Sequence, residues 1–465
     1  MKQFCMTAAV LGLSLLSGAA QTDGGISPQM MTKIKSFYAG TPTDRALRNA
    51  IVGTDISRLA VNADNRVAVD THFSHSVPGR GITNQKSSGR CWLFTGLNVL
   101  RAKVIAKYDM GDFQFSQTYV FFWDQLEKSN LFLQGVIDTR KRPMDDKMVE
   151  WLFKNPLSDG GQYTGVADLL TKYGVVPLDV MPETNSSENT RVMSSLISLK
   201  LREYGLKLRE MSAAKSTTPE ALQEAKTEML GTIYRILALN LGEPPTQFVW
   251  TRKDAKGNPV ETKEYTPHSF YDQYVADDLQ HNYVMLMNDP TREYYKLYEI
   301  DFDRHTYDGS NWTYVNLPVD DIKQMAIASI KDSTMMYFSC DVGKCFDRTR
   351  GLLDTDNYDY ESLLGTAFGM DKRQRVATFA SGSSHAMTLM AVDLDADGRP
   401  RKWKVENSWG SGPNDGHLIM TDKWFDEYMF RLVINRKYLT DKAAAVLSQK
   451  PVLLPAWDPM FADEQ

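Results

Sequence analysis

Hydrophobic and polar positions divide the chain into a helix-rich first part and a strand-rich last part. From Cys91 onward, Leu93, Leu97, Leu100 and Val104 recur at helical spacing, so a helix begins at or beside Cys91. Ser116 to Leu126 reads as an aromatic helix, and Asp159-Gly160-Gly161-Gln162 as a tight loop entering a third helix around Val166 to Tyr173. Residues 183–190 form a polar loop, after which Leu, Ala, Lys and Glu dominate as far as Gly242. There Thr218-Pro219-Glu220 combines a cap, a first-turn proline and an acid, and Leu222, Met229, Ile233, Ile236 and Leu237 supply a buried stripe. From Phe248 the pattern turns aromatic and β-branched, and the segment 41–85 is expected to hold short strands and turns. His385 to Leu394 alternates, Asp395-Ala396-Asp397-Gly398 turns, and Trp403 to Asn407 alternates again, which predicts a hairpin. The expected class is α+β, a helical part facing a sheet part across a cleft.

Composition narrows the function. With 465 residues, 42 % of them hydrophobic, and a formal net charge of −5, the chain has an ordinary soluble balance and no global positive field to gather nucleic acid or anionic lipid. Met1-Lys2, the apolar stretch Ala8 to Leu16 and the small residues Ser17-Gly18-Ala19-Ala20 read as a signal segment, residues 1–20, with the mature chain starting near Gln21. That predicts an exported protein, periplasmic or extracellular, without a membrane span because the apolar run is too short. Cys91, Cys340 and Cys345 then remain, an odd number where disulfides are permitted. Cys340 closes the buried strand-like run Tyr337-Phe338-Ser339, and only a particular turn would bring it to bridging distance of Cys345.

The chemistry-bearing residues lie far apart in the chain. A cysteine at a helix N-terminus sits at a positive end that favours thiolate, and Gly89 in Ser88-Gly89-Arg90-Cys91-Trp92 suits a tight turn before the helix. The nucleophile needs a base. His385 and Asn407 are equidistant from Ala396, so antiparallel pairing is expected to set them opposite one another, with the amide orienting the imidazole. His72 and His75, three apart in a strand-like run, would face opposite sides and make a poor metal pair. Asp393, Asp395, Asp397 and Gly398 begin like a calcium loop, but Lys404 occupies the twelfth position, so a plain turn is favoured.

Gln85-Lys-Ser-Ser-Gly-Arg-Cys91-Trp92, His385-Ala-Met-Thr and Glu406-Asn407-Ser408-Trp409-Gly410 resemble the Gln, Cys, His and Asn motifs of papain-like cysteine peptidases. Ser-Gly-Arg-Cys-Trp is similar to the bleomycin hydrolase (aminopeptidase C) family in particular, as are Phe115 to Trp123, Asp159 to Gln162, Tyr173 to Pro177, Cys340 to Lys344, Trp424 to Tyr428 and Leu454 to Met460. The resemblance implies a papain-like core, about 60–182 and 280–450, a helical insertion over about 183–279, and a tail, 451–465, in the active-site cleft. It implies a cofactor-free peptidase acting on peptides as a homohexamer. Cys91, His385 and Asn407 would be catalytic, Gln85 would serve the oxyanion hole with the Cys91 N–H, and Trp409 would cover the His385–Asn407 bond. Gly160 and Gly161 would bind substrate backbone, and the carboxylate of Gln465 would receive the substrate amine and make the enzyme an aminopeptidase. The ending Phe461-Ala-Asp-Glu-Gln465 departs from the family's short tail of small residues, which keeps endopeptidase or carboxypeptidase-like trimming as alternatives, beside a non-catalytic hexameric scaffold.

Overall fold

The computed structural model describes residues 24–65, 70–214 and 216–460. They fall into two units, one drawn from residues 1–61 and 359–366, the other from 62–358 and 367–465. The first holds the helices Pro28–Ser36, Pro42–Gly53, Ile56–Leu59 and Tyr360–Leu364. Helix here corrects the expected strands and turns of 41–85, where among the described residues only His75–Ser76, in the second unit, is a strand. The cause is local. The Thr41 hydroxyl accepts the Asp44 N–H and the Asp44 carboxylate accepts the Thr41 N–H, with Pro42 in the first turn, a capping box that outweighs a weak apolar pattern.

The second unit carries the helices α1 (Cys91–Tyr108), α2 (Gln117–Asp138), α3 (Tyr163–Tyr173), α4 (Arg191–Ala213) and α5 (Pro219–Leu241). Thr218 caps α5 as expected, and Leu222, Met229, Ile233 and Leu237 are buried while Ile236 is half-buried. α2 continues twelve residues beyond Leu126, because its buried side includes Asp124, Gln125, Glu127 and Ser129, which an apolar pattern does not register.

The sheet is built from β1 (Tyr283–Met287), β2 (Lys296–Ile300), β3 (Thr313–Asn316), β4 (Met336–Cys340), β5 (His385–Leu394), β6 (Pro400–Glu406), β7 (His417–Thr421), β8 (Met429–Asn435) and β9 (Val452–Leu454). Their order is β9-β2-β3-β1-β8-β4-β5-β6-β7, followed by two short strands, and His75–Ser76 pairs with β5. One core lies on the helical side, where Tyr337 and Ala386 meet Leu93, Phe121 and Val166. A second lies on the other face, where Phe338, Met387 and Leu432 meet Trp403, Phe425 and residues of the helix Val319–Lys331. Covered on both faces, β4 is buried at every position, as its apolar run implied. The papain-like α+β expectation stands.

The hairpin forms with a corrected register. Pairing runs Thr388 to Glu406, Leu389 to Val405 and, at the turn, Leu394 to Pro400, so the hairpin is centred on Asp397 and Asn407 is displaced two positions from His385 instead of lying opposite it. A shift of two keeps both side chains on one face as diagonal neighbours. Asp395 to Gly398 is a turn closed by Asp395 Oδ1 on the N–H groups of Asp397 and Arg399. No disulfide joins Cys340 to Cys345.

Residues of the expected tail form β9, parallel to β2 at the sheet edge. The chain then reaches Asp458, salt-bridged to Arg292, and Met460, whose carbonyl accepts from Arg431 Nη2 at 2.8 Å. Gln465 and the signal segment lie outside the described residues. Among the described residues no helix is long and apolar enough to cross a membrane.

Candidate active site

Cys91 is the first residue of α1 and fully buried. Its cap residue, Arg90, makes no side-chain capping bond, so the cap's own side chain does not take up the positive end of the helix. Gly89 is required by close approach: a Cβ there would lie 2.5 Å from Asp159 Oδ1, while the Gly89 N–H donates to Asp159 Oδ2 at 2.8 Å. The Trp92 indole donates to the Asp159 carbonyl at 3.0 Å. One acid therefore ties both flanks of Cys91 to the loop carrying Gly160 and Gly161.

Arg90 is buried and anchors the same turn. Its guanidinium forks onto Glu183 at 3.1 and 2.7 Å, its Nε donates to Ser88 Oγ at 3.0 Å, and its plane lies over Phe94 and Phe121. The Ser88 hydroxyl donates to the Gln85 carbonyl at 2.6 Å, and Gln85 Nε2 donates to the Ser88 carbonyl at 2.7 Å. Gln85 Oε1 accepts from Ser408 Oγ at 2.6 Å, so the amide orientation is fixed and one Nε2 hydrogen remains unspent by these bonds.

On the sheet side, His385 Nε2 lies 2.8 Å from Asn407 Oδ1, which also accepts the Ser408 N–H. An amide oxygen accepts only from Nε2–H, which leaves Nδ1 as the basic nitrogen of the neutral ring. Trp409 stacks on the imidazole at 4.7 Å between centroids. The Ala386 N–H points at Cys91 Sγ across 3.4 Å, so the thiol sits against the residue following His385. The structure thus gathers Cys91, His385, Asn407, Gln85 and Trp409, with the Gly160–Gly161 loop tied to the turn before Cys91.

Sequence reading missed the groups behind them. Arg101 on α1 donates to Glu406 at 2.6 Å, both buried, joining the helix of Cys91 to the strand that ends beside Asn407. Burial raises the Glu406 pKa, and the Arg101 charge opposes that shift. Under the glycine loop, Asp124 meets His305 Nδ1 at 2.5 Å and Lys128 Nζ at 3.1 Å, and Lys128 also donates to the Gly160 carbonyl. Burial raises the Asp124 pKa, but the adjacent cations more than offset this and hold it below the usual carboxylate range. His305 fills the space a Cβ on Gly161 or Gly165 would need. Arg101 and Asp124 stood only as polar residues in apolar helical patterns, and His305 gave no local signal. His72 and His75 stand apart, His75 pairing with β5, and among the described residues no group of His, Cys, Asp and Glu could hold a metal ion.

Known proteins are similar to this chain over most of its length. The model of the Peptidase C1-like family matches residues 25–461. Bleomycin hydrolase of Homo sapiens is 40 % identical over 401 residues, 84 % of this chain and 88 % of that protein. Aminopeptidase C of Lactobacillus delbrueckii subsp. lactis is 38 % identical over 421 residues, 89 % of this chain and 93 % of that protein. A crystal structure of PepW from Lactobacillus rhamnosis HN001 superposes with a TM-score of 0.90 at 38 % identity, covering 95 % of this chain and all of that one. The chain therefore belongs to the Peptidase C1-like family and is an enzyme, a cysteine peptidase of the bleomycin hydrolase and aminopeptidase C type.

Proposed function

We propose that Cys91, His385 and Asn407 carry out peptide-bond hydrolysis, and that the enzyme removes N-terminal residues from peptides. The observation that carries the reading is the bond of His385 Nε2 to Asn407 with Cys91 Sγ against Ala386. The Cys91 thiolate attacks the scissile carbonyl while His385 holds the proton. The tetrahedral oxyanion accepts from the Cys91 N–H and the unspent Nε2 hydrogen of Gln85, each donor contributing roughly 3–4 kcal/mol in comparable sites. His385 then protonates the departing amine, leaving an acyl-thioester. Water, deprotonated by His385, attacks that thioester and releases the acid and the thiol. Trp409 shields the His385–Asn407 bond, and Gly160 and Gly161 align the substrate backbone.

The names of the aminopeptidase relatives support N-terminal trimming. The path of residues 455–460 back from the sheet edge to Arg431 on β8 supports a chain end, Gln465, that meets the substrate amine. From the pattern of Met1-Lys2, the apolar run Ala8 to Leu16 and the small residues Ser17 to Ala20 we also assign residues 1–20 as an export signal for a periplasmic or extracellular location, and from the family resemblance a homohexamer as the working assembly. Cleavage inside the peptide is the second reading, favoured by the acidic ending Asp463-Glu464-Gln465, which differs from the family tail.

The test pairs an unblocked peptide with its N-acetylated twin, using residues 21–465, the Cys91→Ala protein and a form ending at Met460. Shortening of only the unblocked peptide, relaxed by truncation and absent in Cys91→Ala, is the expected result. Internal cleavage of both peptides would make the enzyme an endopeptidase, and cleavage by Cys91→Ala would remove the nucleophile assignment.

A further inference from the structure

A cavity of about 850 Å³ has Gln85, Ser88 and Gly89, part of the turn that leads into Cys91, in its wall, while Cys91 itself does not line it. His385, Asn407 and Trp409 do not line it. That placement decides which half of a substrate it serves. His385 must protonate the departing amine, so the leaving half lies over His385 and Trp409. A cavity reached past Gln85 and Gly89 receives instead the side chain of the residue that supplies the scissile carbonyl. This step rests on the Cys91–His385 chemistry proposed above, and it holds whether that residue is the first of the peptide or an internal one.

Part of the wall is apolar, with Leu131, Phe132, Trp151, Leu152 and Phe302, and the polar part is rich in cations. Lys86, Lys128, Lys154, Arg191 and Arg304 line it. The carboxylates in it are Asp159, which accepts from the Gly89 N–H and the Thr190 hydroxyl, and Asp303, whose Oδ1 accepts from the Gln162 amide; these are neutral donors, so two acids stand among the five cations. Lys128 is neutralised by Asp124, and Lys154 shares Glu150 on the rim. Among the described residues no carboxylate lies within salt-bridge distance of Lys86, Arg191 or Arg304. Arg304 is half-buried with its plane over Phe302 and Tyr307, and its Nε meets no acceptor among the described residues. Ser194 and Ser195 at the start of α4 add hydroxyls, of which Ser194 Oγ is buried without a partner there.

We propose that this cavity selects an acidic side chain, Asp or Glu, at the residue whose carbonyl is attacked, with Lys86, Arg191 and Arg304 as the specificity-determining cations. Guanidinium groups match a carboxylate with paired donors, and a basic side chain meets repulsion in the same space.

The experiment measures kcat/KM for coumarin amides of Glu, Ala and Lys, as unblocked amino acids and as acetyl-Ala-Ala-X forms, in the intact enzyme. In whichever series is cleaved, Glu is expected to exceed Lys by about tenfold or more at low salt, a margin that shrinks as salt screens the charges. Reversing the exposed charges with Lys86→Glu and Arg191→Glu is expected to collapse or invert the Glu/Lys ratio, a quotient that cancels any change in the amount of folded enzyme. A wild-type ratio at or below one, or a ratio unmoved by both reversals, overturns the proposal. Cleavage of no amide in either series removes the peptidase reading, and this proposal falls with it.

Discussion

The two walls of the active site are held by different forces. On the helical wall, Cys91 and its neighbours are fixed by buried charge: Arg90 on Glu183, Asp124 between His305 and Lys128, and Asp159 on the Gly89 N–H. On the sheet wall, His385 and Asn407 are fixed by strand pairing, with β4 against β5, and by the Trp409 ring. Only one buried ion pair described above, Arg101 with Glu406, runs directly from α1 to the strand next to Asn407. Charge fixes direction as well as distance, which suits a turn with few backbone ladder bonds. A strand needs no such help because its neighbours already set its place.

This contrast is sharpest at Arg90. Removing one partner of a buried pair leaves the other uncompensated, so Arg90→Met is expected to lower stability by about 3–5 kcal/mol in denaturant titration. Arg90→Met with Glu183→Met should recover a good part of that loss. If the double variant is no more stable than the single one, the charge pair is not what holds the turn. Next in size is Asn407→Ala, which frees the imidazole without touching the sheet: kcat is expected to fall about 100-fold with little change in unfolding midpoint, since proton-transfer groups contribute about 10²–10⁴. A large fall in stability instead would show the sheet wall depending on this side chain. Smallest is Trp409→Leu, where loss of the ring stack is expected to lower kcat/KM by less than about tenfold, on the order of 1 kcal/mol. An effect equal to that of Asn407→Ala would make the ring the principal orienter of His385.

The same contrast explains what was legible in the sequence. The sheet wall was readable because its apolar pattern reports strands: β5 and β6 follow from alternation and β4 from its apolar run, and His385 and Asn407 came out together. Even there the register was wrong by two positions, because the hairpin is centred on Asp397 instead of Ala396, a one-residue difference in the turn that a pattern of period two does not mark. α1 was found from four leucine and valine positions, although all of its first eleven residues are buried. On the helical wall the deciding residues are polar and inside. Asp124, Gln125 and Glu127 made α2 look shorter than it is, and Glu183 and His305 offered no local signal, since each becomes meaningful only beside a residue 93 or 181 positions away. The helix at Pro42 was readable from Thr41 and Asp44 and was missed by weighing apolar pattern over capping.

The central claim is that Cys91 acts as a thiolate between a helix N-terminus and His385. The most direct measurement is the rate of Cys91 alkylation by iodoacetamide as a function of pH, read by peptide mass, in the wild type and in His385→Ala. An ordinary thiol reacts with an apparent pKa of about 8.5, whereas one paired with an imidazolium at a helix start reacts far below that. The account predicts rapid Cys91 alkylation already below about pH 6, shifted toward alkaline pH in His385→Ala, with Cys340 and Cys345 lagging throughout. A Cys91 profile rising only near pH 8.5, or one unchanged by His385→Ala, would contradict it.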